Sequence, residues 1–401
     1  LGRMGFKTLI AYLITTLFAV TLGLLVVNVW APGNNASEQL RAENRISYEL
    51  WRKDNAVVPL DTLCLSCRPA YAEAVERIQG KGDEQLNDWV IDKLDKADAQ
   101  DELGPLQPLV DLVPSNIFRA LGDTDMLQII FFAILFGIAL VAVPEEKRQP
   151  VHRLIDGLND IFVRMVWLVL KAMPVFVFAL MAGQIVKAAG NDPLKFVELL
   201  EFLLRYSGTV VLGLALMVVV VYPSVVWSLT NISWKRFLTS IRDAQITAFS
   251  TSSSVATLPV TMDNIEHKLG VSKTTTSFVL PIGATVNMDG TSLYQAVAVV
   301  AMAQFHMIDL SFGQQMVIVL TATVASIGAA AIPSAGLVLM IIVLESVGLN
   351  PAWIAIIFPV DRILDMCRTV VNVTGDATVA TVVAQSEHQL EATPQNGLGT
   401  K

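Results

Sequence analysis

The sequence predicts an all-α polytopic membrane protein whose later transmembrane helices are broken, two of them folded back as re-entrant helical hairpins. Three observations predict this class. Of 401 residues, 53% are hydrophobic and only 16% are charged, against roughly 25% charged in a soluble domain. The windows Leu9–Ala31, Leu127–Pro144, Tyr206–Asn231 and Leu310–Leu344 carry no charge at all, and a spanning helix needs about 20 apolar residues. The last window would run to about 52 Å as one helix, too long for a hydrocarbon core of about 30 Å.

The first span is Leu9–Ala31. A secretory leader is the alternative reading, but the apolar stretch exceeds the ~7–15-residue core of such leaders. Basic residues near the span ends place Arg3 and Lys7, Lys147, Arg148 and Arg153, and Lys235, Arg236 and Arg242 on the cytoplasmic side. The polar segment over 32–105 then lies outside the cell. Its acids (Glu76, Asp83, Glu84, Asp88 among them) read as a solvated surface, and no run of Lys and Arg points to nucleic acid. The chain has three cysteines, too few for a disulfide scaffold. Cys64 and Cys67 form a lone C-x-x-C for which a local disulfide, suited to an oxidising exterior, or an incidental pair is the expectation.

The spans of the first half read as unbroken helices: Leu127–Pro144, then a helix from about Leu154 to Lys187 that Pro174 is placed to kink, then a span ending near Asn231. The second half differs. In the middle of Leu310–Leu344 stand small residues and a proline, Ser326-Ile327-Gly328-Ala329-Ala330-Ala331-Ile332-Pro333-Ser334-Ala335-Gly336. Two half-helices meeting at a tip satisfy that pattern, since irregular backbone at membrane depth is tolerated only where it is buried or lines a cavity. Ala248–Pro259, with Ser252-Ser253-Ser254 at its centre, has the same form, and each is followed by a span bearing acids. Hairpin plus helix, twice, is the internal repeat of secondary transporters; two ordinary loops of small residues are the alternative.

The polar residues inside the spans carry the chemistry. Asp289 is the only charged residue of Asn287-Met288-Asp289-Gly290-Thr291, where Asn and Gly loosen the helix so that carbonyls and carboxylates can meet a hard cation. An Asp that caps the following half-helix is the bland alternative. The last span, about Ala352–Ala384, carries Asp361, Asp365, Arg368, Thr369, Asn372 and Asp376 at spacings of four, three, one, three and four, which is one face of a helix. A charge deep in a bilayer costs about 2.5 kcal/mol or more, so the stripe faces protein or water. Arg368 offers a fork of donors suited to a carboxylate, and Asp365, one turn away, suits an ammonium. Together they select a zwitterion with an additional carboxylate, an acidic amino acid. Asp376, two turns beyond Arg368, is left to neutralise a cation. Arg362 either tunes this site or pairs with Asp361.

These motifs, the Ser252–Ser254 tip, NMDGT at 287–291, SIGAAAIPSAG at 326–336 and DMCRTVVNVTGD at 365–376, resemble those of the dicarboxylate/amino-acid:cation symporter family, the glutamate and aspartate transporters of prokaryotic type. The resemblance covers nearly the whole chain apart from the polar insertion and the tail. It implies a mobile transport domain beside a static scaffold, a homotrimer, and sodium as the coupling ion with no cofactor. It divides the chain into a helix over 1–31 on the transport side, an extracytoplasmic insertion over 32–105, scaffold and linking helices over 106–232, the transport core over 233–384 and a polar cytoplasmic tail over 385–401, in the cell (inner) membrane.

Residue by residue, the resemblance implies that Arg368 holds the substrate side-chain carboxylate and Asp365 its amino group. Asn372, Thr291 and Ser254 would hold the α-carboxylate with backbone near Ser253 and Ile332, and Thr369 and Gly336 complete the substrate set. One sodium site would use Gly283, Asn287, Asn372 and Asp376. A second would use Thr285, Met288, Ser326 and Ile327, and a third Tyr12, Thr15 and Thr16 with Asn287 and Asp289. Three departures stand out. Two membrane helices that precede the 9–31 helix in the family are absent from this chain, Ala329 stands where some members have Thr, and the external segment is longer than in compact members.

The function expected is symport of L-aspartate or L-glutamate into the cell with sodium. A proton-coupled C4-dicarboxylate symporter is the alternative, though Asp365 would face its charge. An intramembrane aspartyl protease built on Asp289 and Asp376 is disfavoured because Arg368 nearby opposes proton sharing. A serine hydrolase on Ser252–Ser254 lacks a base at depth, since His152, His267, His306 and His388 sit near span ends or in tails. An anion channel could not accumulate substrate against a gradient, and an enzyme is not expected.

Overall fold

The computed structural model describes residues 2–55, 57, 59–79, 116–123, 126–158, 161, 164–165, 175, 179, 193–327 and 335–391. Among them the protein is helical, with one isolated β-bridge, Val271 to Leu390, and no strand. The kinked helix expected from Leu154 to Lys187 lies largely outside the described residues, as do most of the acids of 76–102 and the tip over 328–334.

Helix α1 (Gly2–Trp30) opens the chain. Its buried face carries Met4, Thr8, Tyr12, Thr16, Ala19, Gly23 and Val27 at three- and four-residue steps, while Phe6, Leu13, Phe18 and Leu25 are exposed. An apolar outer face belongs in lipid, and the inner one packs along the helix that follows the NMDGT break. A second long apolar helix, 197–229, also has the length and composition to cross a membrane.

The polar insertion contributes α2 (Glu38–Asp54), capped by the Ser37 side chain on the Leu40 N–H, and α3 (Ala72–Gln79). Ala42, Ile46 and Leu65 make a small core of their own beneath Tyr71 and Val75. Cys64 and Cys67 form a disulfide. Buried Arg45 donates to Glu49 at 2.8 Å and to Asp61 at 2.9 Å, and Glu49 accepts from the Leu65 and Ser66 backbone N–H groups. The insertion is tied to the rest of the protein by Arg45 to the Met307 carbonyl at 3.2 Å and by the Tyr48 hydroxyl to the Gly348 carbonyl at 3.0 Å.

Helix α4 (Ile117–Asp123) precedes α5 (Met126–Ala142), which takes up the expected 127–144 span as far as residue 142. Helix α6 (Pro193–Leu216) runs through a π turn, Met217–Val221, into α7 (Tyr222–Leu229). After the short α8 (Trp234–Ser240), α9 (Arg242–Thr251) stops at Ser252, whose φ of 52° is left-handed, and α10 (Ser254–Asn264) starts under a cap from the Ser253 side chain to the Ala256 N–H. The serine-rich centre is thus a helix–break–helix, with α9 and α10 packed together. Serine suits such a break because its hydroxyl competes for backbone N–H groups.

Helix α11 (Lys273–Val286) ends at Asn287, and α12 (Asp289–Phe305) begins just after Met288. Helices α13 (Phe312–Ile327) and α14 (Ala335–Ser346) flank the second tip and pack against each other. Helix α15 (Ile354–Ser386) is continuous and runs through the centre, touching α1, α6, α7, α9, α10, α11, α12 and α14.

Candidate functional site

Because α15 is unbroken, its polar stripe keeps the 3.6-residue register, and Asp361, Asp365, Arg368, Thr369, Asn372 and Asp376 are all buried. Two clusters form on it, about two turns apart.

The first is built on Arg368, which is 1% exposed. Its Nη2 donates to Asp365 Oδ1 at 2.8 Å and to Asp361 Oδ1 at 2.9 Å. Its guanidinium carbon lies 4.0 Å from the centre of the Tyr294 ring, and the Tyr294 hydroxyl donates to Asp361 at 3.0 Å. Nε and Nη1 have no hydrogen-bond partner among the described residues. A buried donor without a partner is expensive, so one edge of the fork is set up to receive an acceptor. Gly336 lies against that edge: a Cβ there would stand 2.7 Å from Nη1.

Asp365 is shared. Arg362 Nη1 lies 3.5 Å from its second oxygen, which of the two expectations for Arg362 favours tuning of this site. Asp361 lies two turns below Arg368, whose long side chain runs back toward the helix N-terminus to meet it.

Around this cluster, Thr369 donates to the Asp365 carbonyl at 2.9 Å, so its oxygen offers lone pairs to a ligand. Asn372 accepts the Gly290 N–H at 2.8 Å through Oδ1, while its amide donates to Met288 Sδ at 3.3 Å. A thioether is a weak acceptor, so that donor is easily recruited by a carboxylate. Thr291 is buried one residue past Gly290 and also faces Met288 Sδ, at 3.9 Å. Ser254 is buried and Ser253 partly so at the first break. Ile332 lies outside the described residues, as does Ala329.

The second cluster joins Asp289 and Asp376. Asp289 is fully buried and does not cap α12; its carboxylate points away to three hydroxyls, and the Asn372 side chain accepts the Gly290 N–H in the first turn of that helix. Thr16 donates to its Oδ1 at 2.7 Å, Thr15 at 3.3 Å, and Tyr222 to its Oδ2 at 2.7 Å. Asp376 Oδ1 accepts from Asn287 Nδ2 at 2.9 Å, and Asn287 Oδ1 is buried with no partner among the described residues. Gly283 lies beneath Asp376 and Tyr12, and its carbonyl accepts the Asn287 N–H at 2.8 Å. Of the expected third set, Thr15 and Thr16 meet Asp289, whereas the Tyr12 hydroxyl donates to the Val279 carbonyl at 3.1 Å. Of the expected second set, Ser326 and Ile327 end α13, which packs on α11, where Thr285 sits, and on α12, which starts just after Met288.

Three side chains escape the sequence reading: Tyr294, Gln295 and Tyr222. Tyr294 and Gln295 stand one turn after Thr291, inside the helix that the NMDGT motif opens, and Gln295 Nε2 donates to the Gly336 carbonyl at 3.1 Å. That spacing was the available signal. Tyr222 gives none, because it lies in an apolar run far from every motif.

A model of the sodium:dicarboxylate symporter family matches residues 1–386. The chain belongs to that family. It is 34% identical over 401 residues to excitatory amino acid transporter 1 of Ambystoma tigrinum, covering 98% of this chain and 72% of that protein. It is 32% identical over 394 residues to the proton/glutamate-aspartate symporter of Escherichia coli (strain K12), covering 98% and 78%. It is 32% identical over 386 residues to the proton/sodium-glutamate symport protein of Bacillus subtilis (strain 168), covering 96% and 77%. Membership makes the chain a membrane protein of a secondary-transporter family, in agreement with its broken helices and buried charges.

Proposed function

We propose that this protein is a secondary active symporter that carries L-aspartate or L-glutamate into the cell with sodium by alternating access. The observation that carries the reading is Arg368, buried at depth with two donors unpaired among the described residues and flanked by Asp365. Such a fork binds a side-chain carboxylate in two-point fashion. Asp365 takes the substrate ammonium with help from the Thr369 oxygen, and Asn372, Thr291 and Ser254 take the α-carboxylate with backbone from the tips at Ser253 and Ile332, against Gly336.

Two buried carboxylates, Asp361 and Asp365, bond this arginine, and two more, Asp289 and Asp376, are buried in the second cluster. The excess negative charge is met by cations. One is held by Asp376, Asn372, Asn287 and the Gly283 carbonyl, one by Asp289 with Thr15, Thr16, Tyr12 and Asn287, and one by carbonyls of Thr285, Ser326 and Ile327 with Met288. Cation and substrate then each bind better in the other's presence, which is what couples them.

In this reading 252–254 and 326–336 are tips of re-entrant hairpins, 233–384 with 1–31 is the moving transport unit, 106–232 supplies scaffold, and three copies assemble in the inner membrane. The relatives' names include both sodium and proton as coupling ion, and the test separates them. Radiolabelled aspartate uptake into vesicles, driven by an inward Na⁺ gradient or by a pH gradient alone, should show accumulation above equilibrium only with Na⁺. Accumulation driven by pH alone would replace sodium with the proton; equilibration without accumulation would remove symport.

A further inference from the structure

We infer that Tyr222 is a positioning residue for the cation site built on Asp289; the inference rests on the sodium reading above. Tyr222 is fully buried, and its hydroxyl donates to Asp289 Oδ2 at 2.7 Å. The two oxygens of Asp289 are thus divided between two helices. Oδ1 faces the threonines of α1, and Oδ2 is held by α7.

The threonines cannot fix the carboxylate by themselves. Thr15 has one hydroxyl hydrogen and lies within reach of both Asp289 Oδ1, at 3.3 Å, and the Tyr12 carbonyl, at 3.0 Å. A cation entering beside Oδ1 also draws on the lone pairs of Thr15 and Thr16, so both hydroxyls must turn. The phenol on the far oxygen is outside that exchange. It sets the plane of the carboxylate whether or not an ion is present, and so keeps Oδ1 facing Thr15 and Thr16.

Two features of the fold place it there. One line of buried positions runs along α6 through Tyr206, Val210 and Leu214 to Met217, the first residue of the π turn. A uniform α-helix would next bury residue 221. The π turn Met217–Val221 adds a residue to the turn, so Tyr222 and then Val226 take the inner face. Single π turns of this kind recur at functional sites. On the opposite side, Gly375 of α15 leaves room for the contact. A Cβ on Gly375 would stand 2.8 Å from the Tyr222 hydroxyl, 2.8 Å from Asn287 Nδ2 and 3.2 Å from Asp289 Oδ2. Helices α1, α7 and α15 and the α11–α12 break therefore close on one carboxylate, with the phenol as the fastening from α7.

Hydrogen bonds that orient a ligand from behind are worth roughly 10–100-fold in metal affinity. The test is Tyr222→Phe in the full chain, purified and reconstituted. Two quantities are measured: aspartate uptake across a Na⁺ series, and thermal stabilisation by Na⁺ in the absence of substrate. The half-saturating Na⁺ concentration should rise about tenfold in both, with aspartate affinity at saturating Na⁺ and the aspartate-over-glutamine preference unchanged. A merely structural tyrosine would lower stability at every Na⁺ concentration and leave half-saturation where it was. Gly375→Ala reaches the same contact from α15 and should shift Na⁺ dependence in the same direction should the first variant fold poorly. A parent that responds to Na⁺ beside variants with its own half-saturation overturns the role of Tyr222 alone. A parent indifferent to Na⁺ overturns the sodium reading and this inference together.

Discussion

Arg368 Nη2 lies 2.8 Å from Asp365 Oδ1, so the two groups assigned to opposite ends of the substrate already neutralise each other. A zwitterion with a side-chain carboxylate replaces that internal pair with two external ones and leaves its α-carboxylate to the neutral donors of Asn372, Thr291 and Ser254. A ligand without the ammonium adds a negative charge beside Asp365. Asp365→Asn should therefore weaken aspartate binding by at least tenfold, the scale of one charge-assisted contact, while succinate is affected far less. Competition of both ligands against labelled aspartate checks this; equal losses would make Asp365 structural.

Arg368→Ala removes the fork and the guanidinium that buried Asp361 accepts from, while Asp365 keeps Arg362 at 3.5 Å. Loss of a buried partner costs about 3–5 kcal/mol, so the variant should be less stable as well as unable to carry acidic amino acids. Neutral amino acids, which lack the second carboxylate, should be taken up at least as well as by the parent. Uptake of labelled aspartate and serine, side by side, reads the change. Unaltered aspartate affinity would dismiss the assignment.

Asp376→Asn addresses the cation side. Its Oδ1 is tied to Asn287 and stands over Gly283, whereas the Arg368 cluster is about two turns away on the same helix. The variant should need a higher Na⁺ concentration for the same aspartate affinity and keep its preference for aspartate over glutamine. Aspartate binding across a Na⁺ series, in purified parent and variant, is the measurement. A simultaneous loss of selectivity would mean that the two clusters are one site.

Glu387, just past the end of α15, ties that helix to the N-terminus. Arg3 donates to it at 2.8 Å and Lys7 at 2.5 Å. Hydrogen bonds first from Arg3 and then from Lys7 hold its carboxyl down to about 2. The folded value lies below the unfolded one, so the contact contributes stability above the ordinary carboxylate range and loses it as pH falls toward 2. Glu387→Gln should melt slightly below the parent at pH 7, and the difference should vanish near pH 2. Melting of both proteins in detergent at the two pH values tests it; an equal difference at both would show that charge plays no part.

Much of the site was legible in one dimension because helix geometry turns spacing into a face. Asp361, Asp365, Arg368, Thr369, Asn372 and Asp376 share one side of α15 by periodicity alone, and α15 stays straight enough to keep them there. The breaks at Ser252 and at Asn287–Met288 were legible too, since Ser, Asn and Gly mark where a backbone leaves the ladder. The C-x-x-C spacing left a local disulfide and an incidental pair both open for Cys64 and Cys67, and the structure shows the disulfide. Partner choice was not legible in this way. Arg362 could meet Asp361 or Asp365 by spacing, and only the packed side chains place it on Asp365. The cap of α12 could come from Asp289 beside it or from elsewhere, and it comes from Asn372 on another helix.

What the sequence by itself determined is therefore the class of protein, the positions of its broken helices and the charged stripe, because hydrophobicity and local backbone preference act over a few turns. What only the tertiary structure decided is which groups meet across helices. Tyr222 and Asp289 are 67 residues apart, and their contact depends on a π turn that shifts one helix face and on the missing Cβ of Gly375. Neither leaves a periodic signal, because each is a matter of how whole helices pack in three dimensions.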